Sequence, residues 1–384
     1  MLEFYAEAHL VLFKDTPKQV LVHNLWYSCF RNNAWAVWRK ILNLYKDPVV
    51  CHREFLSLFI QKKISAMKKM VIGIDIGGTN TAFGLVCEEG EIYGQGRLST
   101  QQYPDLERYQ DELFMGIQQL LRQTECDIIG VGIGAPNANY YQGTLEHAPN
   151  LPWKGIVPFV EKFRRFFPSI PVQMTNDANA AALGEKMYGA AKKMDNFIVI
   201  TLGTGLGSGF VVNGELLLGH NGFAGELGHV IINHTGRVCG CGRKGCLETY
   251  ASATGIKRTV FKLLADQMGT SEFRSISYND LTAEMITRAA LNGDPLAIEA
   301  YEYTGEQLGK ALANAVLITE PEAIFLFGGL AKAGEYIFEP TRRYMELYML
   351  ENFRNKVKLL PSGIQEGNAA ILGAAALIWS KTGK

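Results

Sequence analysis

Val71-Ile72-Gly73-Ile74-Asp75-Ile76-Gly77-Gly78-Thr79 is an apolar run that ends in a carboxylate, two glycines and a hydroxyl. Val71 to Ile76 reads as a short strand, Gly77-Gly78-Thr79 as the turn that ends it, and Thr81 to Val86 as its hairpin partner. The theme returns at Phe197 to Leu202, a second apolar strand that runs into Gly203-Thr204-Gly205-Leu206-Gly207-Ser208-Gly209. A single glycine turn after a strand is often no more than a tight turn. Two of them predict duplicated α/β domains that face one another across a cleft, a geometry suited to phosphoryl transfer.

The chemistry of the turns agrees with that expectation. Glycine removes side-chain obstruction and lets backbone N–H groups approach phosphate oxygens, and Asp75 would face magnesium directly or through water. Neither turn is a Walker loop, because no Gly-Lys-Ser or Gly-Lys-Thr follows, and neither matches the dinucleotide fingerprint closely.

Between and beyond the modules the pattern stays α/β. Leu106 to Leu121 has helical periodicity, and Ile128 to Ile133 is a strand leading into Gly134-Ala135-Pro136-Asn137. A helix is expected over Ile156 to Phe166, a strand over Val172 to Met174, helices over residues 281–318, and a strand over Ala323 to Phe327 ending at Gly328-Gly329. Glu366 to Trp379 is an alanine-rich helix.

Asn176-Asp177-Ala178-Asn179-Ala180 puts polar side chains where a strand gives way to an alanine-rich helix. Asn176 or Asp177 could cap that helix. The functional alternative is a carboxylate within reach of an alcohol, able to take its proton as the oxygen attacks phosphorus. Both roles fit neighbouring residues, with Asp177 as general base and Asn176 orienting hydroxyls.

Gly225-Glu226-Leu227-Gly228-His229 is followed by Cys239-Gly240-Cys241-Gly242-Arg243-Lys244-Gly245-Cys246-Leu247-Glu248. His229, Cys239, Cys241 and Cys246 supply three thiolates and one imidazole, the donor set that tetrahedral zinc prefers. Four ligands fill the shell, so the metal is expected to shape a loop and not to act as a Lewis acid. The spacing is unlike a nucleic-acid-binding finger, since one residue separates Cys239 from Cys241 and no recognition-helix pattern follows.

The chain of 384 residues can bury two substantial cores, and its 38 basic and 38 acidic side chains create no overall field for nucleic acid or membrane. Three of the seven cysteines belong to the metal segment, and Cys29, Cys51, Cys87 and Cys126 have no disulfide-like arrangement, which fits a reducing, cytoplasmic setting. No apolar run of about 18 residues spans a membrane, and the first residues lack the basic, apolar and small-residue order expected of a secretion signal. Composition breaks near residue 70: residues 1–69 hold no glycine, three of the five tryptophans (Trp26, Trp35, Trp38), and eleven Lys or Arg against five Asp or Glu. They are expected to be an extension the chemistry can lose, a product of an early start codon, with Met67 or Met70 opening the true domain.

The order Asp75-Ile-Gly-Gly-Thr, Asn176-Asp-Ala-Asn-Ala, Gly225-Glu-Leu-Gly-His and Cys239-Gly-Cys-Gly-Arg-Lys-Gly-Cys-Leu-Glu resembles the ROK family of sugar kinases over residues 70–380 or so. That resemblance implies the two-domain actin-like, ribonuclease H-like fold with an interdomain cleft. The domains would be 70–178 and 179–384, the last helix (about 366–380) packing back on the first. It implies ATP, magnesium, a structural zinc, and usually a homodimer or homotetramer. It makes Asp177 the base acting on a sugar 6-hydroxyl, and Asn150, Asn176, Glu226, His229 and Glu248 the sugar ligands, His229 serving zinc with one ring nitrogen and sugar with the other. Gly77, Gly78, Thr79 and Asn80, with Gly203, Thr204 and Gly205, correspond to the phosphate-binding turns, and Gly328-Gly329 should lie beside the adenosine.

One departure stands out: Asn137 occupies a position where many of the family carry glycine. It either alters sugar contacts or replaces one residue that tolerates positive φ with another. The retained Glu226, His229 and Glu248 favour a glucose kinase over an N-acetylhexosamine, mannose or fructose kinase. The family also includes sugar-responsive transcriptional repressors, which usually carry an N-terminal helix-turn-helix that is not evident here.

Overall fold

The computed structural model describes residues 67–364 and 366–382. The expectations for residues 1–66 therefore lie outside the described residues. In chain order the first part contains β1 (Lys68–Ile76), β2 (Asn80–Val86), β3 (Ile92–Ser99), α1 (Leu106–Gln123), β4 (Cys126–Gly134), β5 (Ala138–Asn139), β6 (Thr144–Glu146), β7 (Ile156–Val157), α2 (Phe159–Phe163), β8 (Val172–Thr175) and α3 (Asp177–Met187). The second part contains β9 (Phe197–Leu202), β10 (Leu206–Val212), β11 (Glu215–Leu216), α4 (Ala253–Asp266), α5 (Ala283–Leu291), α6 (Pro295–Thr319), β12 (Ala323–Phe327), α7 (Glu335–Tyr348), β13 (Lys358–Pro361) and α8 (Glu366–Thr382).

The strands form two five-stranded sheets of the same design. One has the order β3-β2-β1-β4-β8 and the other β11-β10-β9-β12-β13. In each, the first three strands are an antiparallel meander, and the next two join the first in parallel. The repeated hairpin brings Asp75 and the first glycine turn to the carboxyl end of one sheet, and Gly203 to the carboxyl end of the other. A smaller sheet, β5-β6-β7, caps the first half.

Burial explains the layering. β1 is a nearly continuous apolar run, as expected of a strand covered on both faces. On one side lie α1 and α2, with Tyr109, Leu113, Ile117, Phe159 and Phe163 in the same core as Ile72, Ile74 and Val131. On the other lies α8, whose Ala374, Ala375 and Ala376 are fully buried. Gly73 and Gly132 permit this contact: a Cβ would lie 2.3 Å from Ile371 O at the first and 1.9 Å from Ala374 O at the second. The second sheet packs α4 to α7 against Ile198, Ile200 and Leu202, and presents Phe197, Val199 and Val211 to α3. α3 thus touches both halves, meeting α8 where Gly184 faces Gly373. Among the described residues no helix is long and apolar enough to cross a membrane.

Two local expectations are corrected. Residues 156–166 are not one helix: Ile156–Val157 pair with β6, and α2 opens only after Pro158. Proline biases the residue before it toward extended backbone and fixes the geometry of a helix entry. The glycine run 203–209 is also not one turn, because the chain is already in β10 from Leu206, paired with β9. Gly207 and Gly209 serve the approach of α3, with Ala178 Cβ and Ala178 O against them.

Candidate active site

The site is built around the start of α3. β8 ends at Thr175, and Asn176 keeps extended backbone (φ −68°, ψ 159°) while its side chain accepts from Asn179 N at 2.6 Å. Asn176 is therefore the helix cap, which satisfies one of the orphan N–H groups of the first turn. Asp177 follows as the first helical residue, its Oδ1 accepting from Ala178 N at 2.8 Å. The residue is exposed to solvent, yet the protein packed around its carboxyl displaces enough water to raise its pKa above the ordinary aspartate value.

Asp75 comes to the same place from β1, which pairs in register with Gly134 of β4. A Cβ on Gly134 would lie 3.6 Å from Asp75 Oδ1 and 4.0 Å from Asp177 Cα. Burial, and then the charge of Asp177, push Asp75 up to about 7.

The segment 225–229 supplies the opposite wall. Ser208 on β10 holds it, accepting from Leu227 N at 3.0 Å and donating to Gly225 O. Glu226 Oε1 then lies 3.5 Å from Asn176 Nδ2. Burial raises the Glu226 carboxyl, His229 opposes that rise, and Asp177 and Glu248 add to it. Asn176, Asp177, Glu226, His229 and Glu248 are thus brought together.

Glu248 joins this wall to two other features. Its Oε2 accepts from Leu206 N at 3.1 Å, directly after the second glycine turn, and its Oε1 lies 3.5 Å from Cys239 Sγ. A Cβ on Gly205 would stand 2.2 Å from Glu248 Oε2 and would push that carboxylate off Leu206 N.

The ligand atoms of His229, Cys239, Cys241 and Cys246 lie within 4.8 Å of one another. His229 Nδ1 is 3.8 Å from Cys239 Sγ, and Cys241 Sγ is 3.6 Å from Cys246 Sγ. Tetrahedral zinc with bonds of roughly 2.0–2.3 Å needs donor separations of about this size. Cys239 and Cys246 are buried while Cys241 is exposed. The loop is shaped by Cys239 N donating to Arg243 O (2.8 Å), Gly242 N to Cys239 O (3.0 Å) and Gly245 N to Arg237 O (2.8 Å).

The first glycine turn is a tight hairpin in which Gly77 N donates to Asn80 O at 2.9 Å, so that N–H is already engaged. Thr79 is exposed. Asn150 is held against this turn: its Cβ would be 3.0 Å from a Cβ on Gly78, and Gln101 Nε2 donates to both Gly78 O and Asn150 O. In the second turn Gly203 O accepts from Ala253 N at 2.9 Å and Thr204 O from Thr254 Oγ1 at 3.0 Å, which seats it on the start of α4. Gly328 has φ +103° and lies over Leu202. Because β12 runs parallel to β9 with Phe327 opposite Thr201, Gly328-Gly329 flanks the second turn at the carboxyl ends of the strands, where open α/β sheets bind ligands.

Asn137 takes φ +54° and donates Nδ2 to Glu146 O at 3.1 Å. It therefore fills a left-handed position that glycine could also occupy. Gln101, Ser208 and Arg237 support the site without having been singled out from sequence. Ser208 lies inside the glycine run, where a buried hydroxyl between two glycines was the available signal; Gln101 and Arg237 sit in no motif.

The profile of the ROK family matches residues 71–381. The chain belongs to the ROK family. Among its relatives, the glucokinase of Thermotoga maritima is 33% identical over 320 residues, covering 82% of this chain and 99% of that one. The xylose repressor of Caldicellulosiruptor bescii is 33% identical over 318 residues, covering 81% of this chain and 78% of the repressor. The crystal structure of a ROK family glucokinase from Streptomyces griseus, in complex with glucose and AMPPNP, is 32% identical with a TM-score of 0.68, covering 80% of this chain and 98% of that one. The duplicated sheets of this ROK protein are the two-domain actin-like fold of the sugar kinases.

Proposed function

We propose that this protein transfers the terminal phosphoryl group of ATP to the 6-hydroxyl of a hexose, glucose foremost. The observation that carries this reading is the position of Asp177 at the start of α3, close enough to both Asp75 and Glu226 for its charge to raise each of them. Sequence similarity to glucokinases over four fifths of the chain supports the choice of sugar.

Asp177 takes the proton of the sugar hydroxyl as that oxygen bonds to the γ-phosphorus and the bond to the bridging oxygen of ADP breaks. Asn176, Glu226, His229 and Glu248 hold the other hydroxyls, with Asn150 at the edge of the same pocket. A raised carboxyl suits this task, since once ionised it is a stronger base than an aspartate of ordinary pKa. Gly77, Gly78, Thr79 and Asn80 from one half, and Gly203, Thr204 and Gly205 from the other, line the phosphates, and Gly328-Gly329 lies beside the adenosine. Magnesium bound to the phosphates would neutralise charge on the transferred group, with Asp75 facing it. Closure of the halves aligns the reactants and excludes water.

His229, Cys239, Cys241 and Cys246 would hold zinc in a closed shell. Its role is to fix the loop that carries His229 and Glu248 into the sugar pocket. We read residues 70–178 and 179–384 as the two domains, 1–69 as an extension the chemistry does not need, a homodimer or homotetramer as the assembly, and the cytoplasm as the setting.

The test is ADP release by zinc-replete protein with ATP and magnesium, run against glucose, mannose, fructose, N-acetylglucosamine and N-acetylmannosamine. A clear preference establishes the kinase and its sugar. Silence across the panel with sugar still bound moves the reading to a sugar-responsive repressor, which the similarity to a xylose repressor favours as the alternative. DNA retention that depends on residues 1–66 would then be the deciding result.

A further inference from the structure

We propose that Asn139 and Tyr141 form a seat on the first half that positions Glu226, a residue of the second half, for sugar binding. The inference rests on the hexose-kinase reading and adds to it a pair of positioning residues outside the sugar and phosphate ligands named above.

Asn139 ends β5 and is 4% exposed, and all of its side-chain capacity is used. Its Nδ2 donates to Glu146 Oε1 and to Asn221 O, both at 3.0 Å. Its Oδ1 accepts from Tyr141 N at 3.0 Å and Gln142 N at 3.1 Å. Thr144 Oγ1 donates to the same Glu146 oxygen at 2.8 Å, which fixes the carboxylate that orients the amide. Ala138 beside Asn139, and Leu145 opposite Ala138 on β6, belong to the first core. Asn221 belongs to the segment that leaves β11 in the second sheet. Tyr141 makes a parallel connection, its OH donating to Gly219 O at 3.2 Å.

The held segment is compact. Ala224 N donates to Leu218 O at 3.1 Å, closing 218–224 on itself. Gly222 has φ +84°, and a Cβ there would stand 3.1 Å from Asn139 Oδ1 and 3.3 Å from Tyr141 Cδ2. The loop therefore lies directly on the seat. Glu226 follows two residues after its closing hydrogen bond, and Glu226 meets Asn176 only at 3.5 Å. A contact that long gives little restraint of its own. The restraint comes from Ser208, which brackets Glu226 through Gly225 O and Leu227 N, and from the Asn139–Tyr141 seat, which fixes the loop that leads into it. A buried, fully satisfied amide spanning two halves is costly to break, because Asn221 O and Glu146 would lose their donor. The sugar wall is in this way tied to the approach of the two halves.

The test uses full-length Asn139→Asp and Tyr141→Phe proteins. Aspartate keeps the shape of asparagine but turns an acceptor toward Glu146 Oε1 and Asn221 O; phenylalanine keeps the ring and loses only the donor to Gly219. We expect Asn139→Asp to raise the sugar KM about tenfold, with the ATP KM and kcat within about threefold of the parent. Tyr141→Phe should shift the sugar KM by about twofold in the same direction. In both, amide hydrogen exchange at residues 218–224 should accelerate while bound zinc stays at the parent level. Unchanged exchange in folded Tyr141→Phe, or a fall in kcat with the sugar KM untouched, overturns the seat. If Asn139→Asp does not fold, Tyr141→Phe and its exchange profile decide alone. A parent protein that phosphorylates no hexose would instead overturn the kinase reading, and the exchange measurement would still judge the seat.

Discussion

Asp75 Oδ1 and the Cα of Asp177 both stand against Gly134, and Asp75 is pushed up to about 7 by burial first and by the charge of Asp177 second. Two carboxylates without a cation between them are a source of instability as well as of chemistry.

Asp75→Asn should reveal that cost through its pH dependence. In the unfolded chain Asp75 ionises near its ordinary value of about 4, and in the folded protein near 7. Between those values the folded state binds more protons, so raising the pH through this window lowers stability, and the loss is complete above it. Asparagine does not titrate. Urea unfolding of ligand-free protein at pH 4.5 and pH 8 should show the variant gaining on the parent by roughly 3 kcal/mol at the higher pH. A difference that stays constant with pH would sink this account.

Asp177→Asn should lower kcat by at least about 10²-fold and leave sugar binding, measured by calorimetry, within a few-fold of the parent. The parent's kcat/KM for sugar should fall as the pH drops through the raised Asp177 value, since protonation removes the base. Near-parental turnover of the variant with every hexose would show that the base lies elsewhere.

Cys241→Ser tests the metal-type cluster at its exposed member. Bound zinc, measured by elemental analysis, should fall below one per chain, and sugar affinity should weaken, because Glu248 lies against Cys239 and contacts the second glycine turn through Leu206. Full zinc content in the variant would remove Cys241 from the ligand set.

Arg237 carries a different load. Its guanidinium donates to Thr249 O (2.8 Å), Gly255 O (2.9 Å) and Thr259 Oγ1 (3.0 Å), and stands 4.6 Å from the Tyr250 ring centre. It ties the loop between His229 and Cys239 to α4. Lysine cannot reproduce the fork, so Arg237→Lys should destabilise the protein by about 2 kcal/mol and hasten zinc loss to a chelator. Thermal melting and a chelator competition check both, and unchanged values in the two would mean that the metal ligands hold the loop unaided.

How far the sequence reveals this arrangement depends on the range of the interaction. Val71 to Ile76, Phe197 to Leu202 and Ala323 to Phe327 are strands because short apolar runs meeting glycine have few other solutions, and the structure gives β1, β9 and β12 there. The cluster of His229, Cys239, Cys241 and Cys246 was legible for a similar reason, since the spacing of its thiols is local. By contrast β3 alternates in burial but puts Gly94 and Gly96 at its inward-facing centre, so it lacks the apolar signal that would announce a strand. α7 carries Pro340 in its interior, a signal against a helix that packing on α6 overrides. Gln101, Ser208 and Asn139 take their meaning from partners tens of residues away, to which composition and period are blind. Val157-Pro158 did hold a readable signal, and it marks where the helix expected from Ile156 begins.

The packing of α8 on β1 and β4 has a consequence for the order of synthesis. Trp379 donates to Val86 O across a separation of 293 residues, and Ile371 and Ala374 cover Gly73 and Gly132. The first sheet to leave the ribosome therefore keeps one face bare until almost the whole second half has been translated. A nascent chain at that stage carries a ready-made sticky surface, and it is during those seconds, more than in the finished protein, that a chaperone is needed.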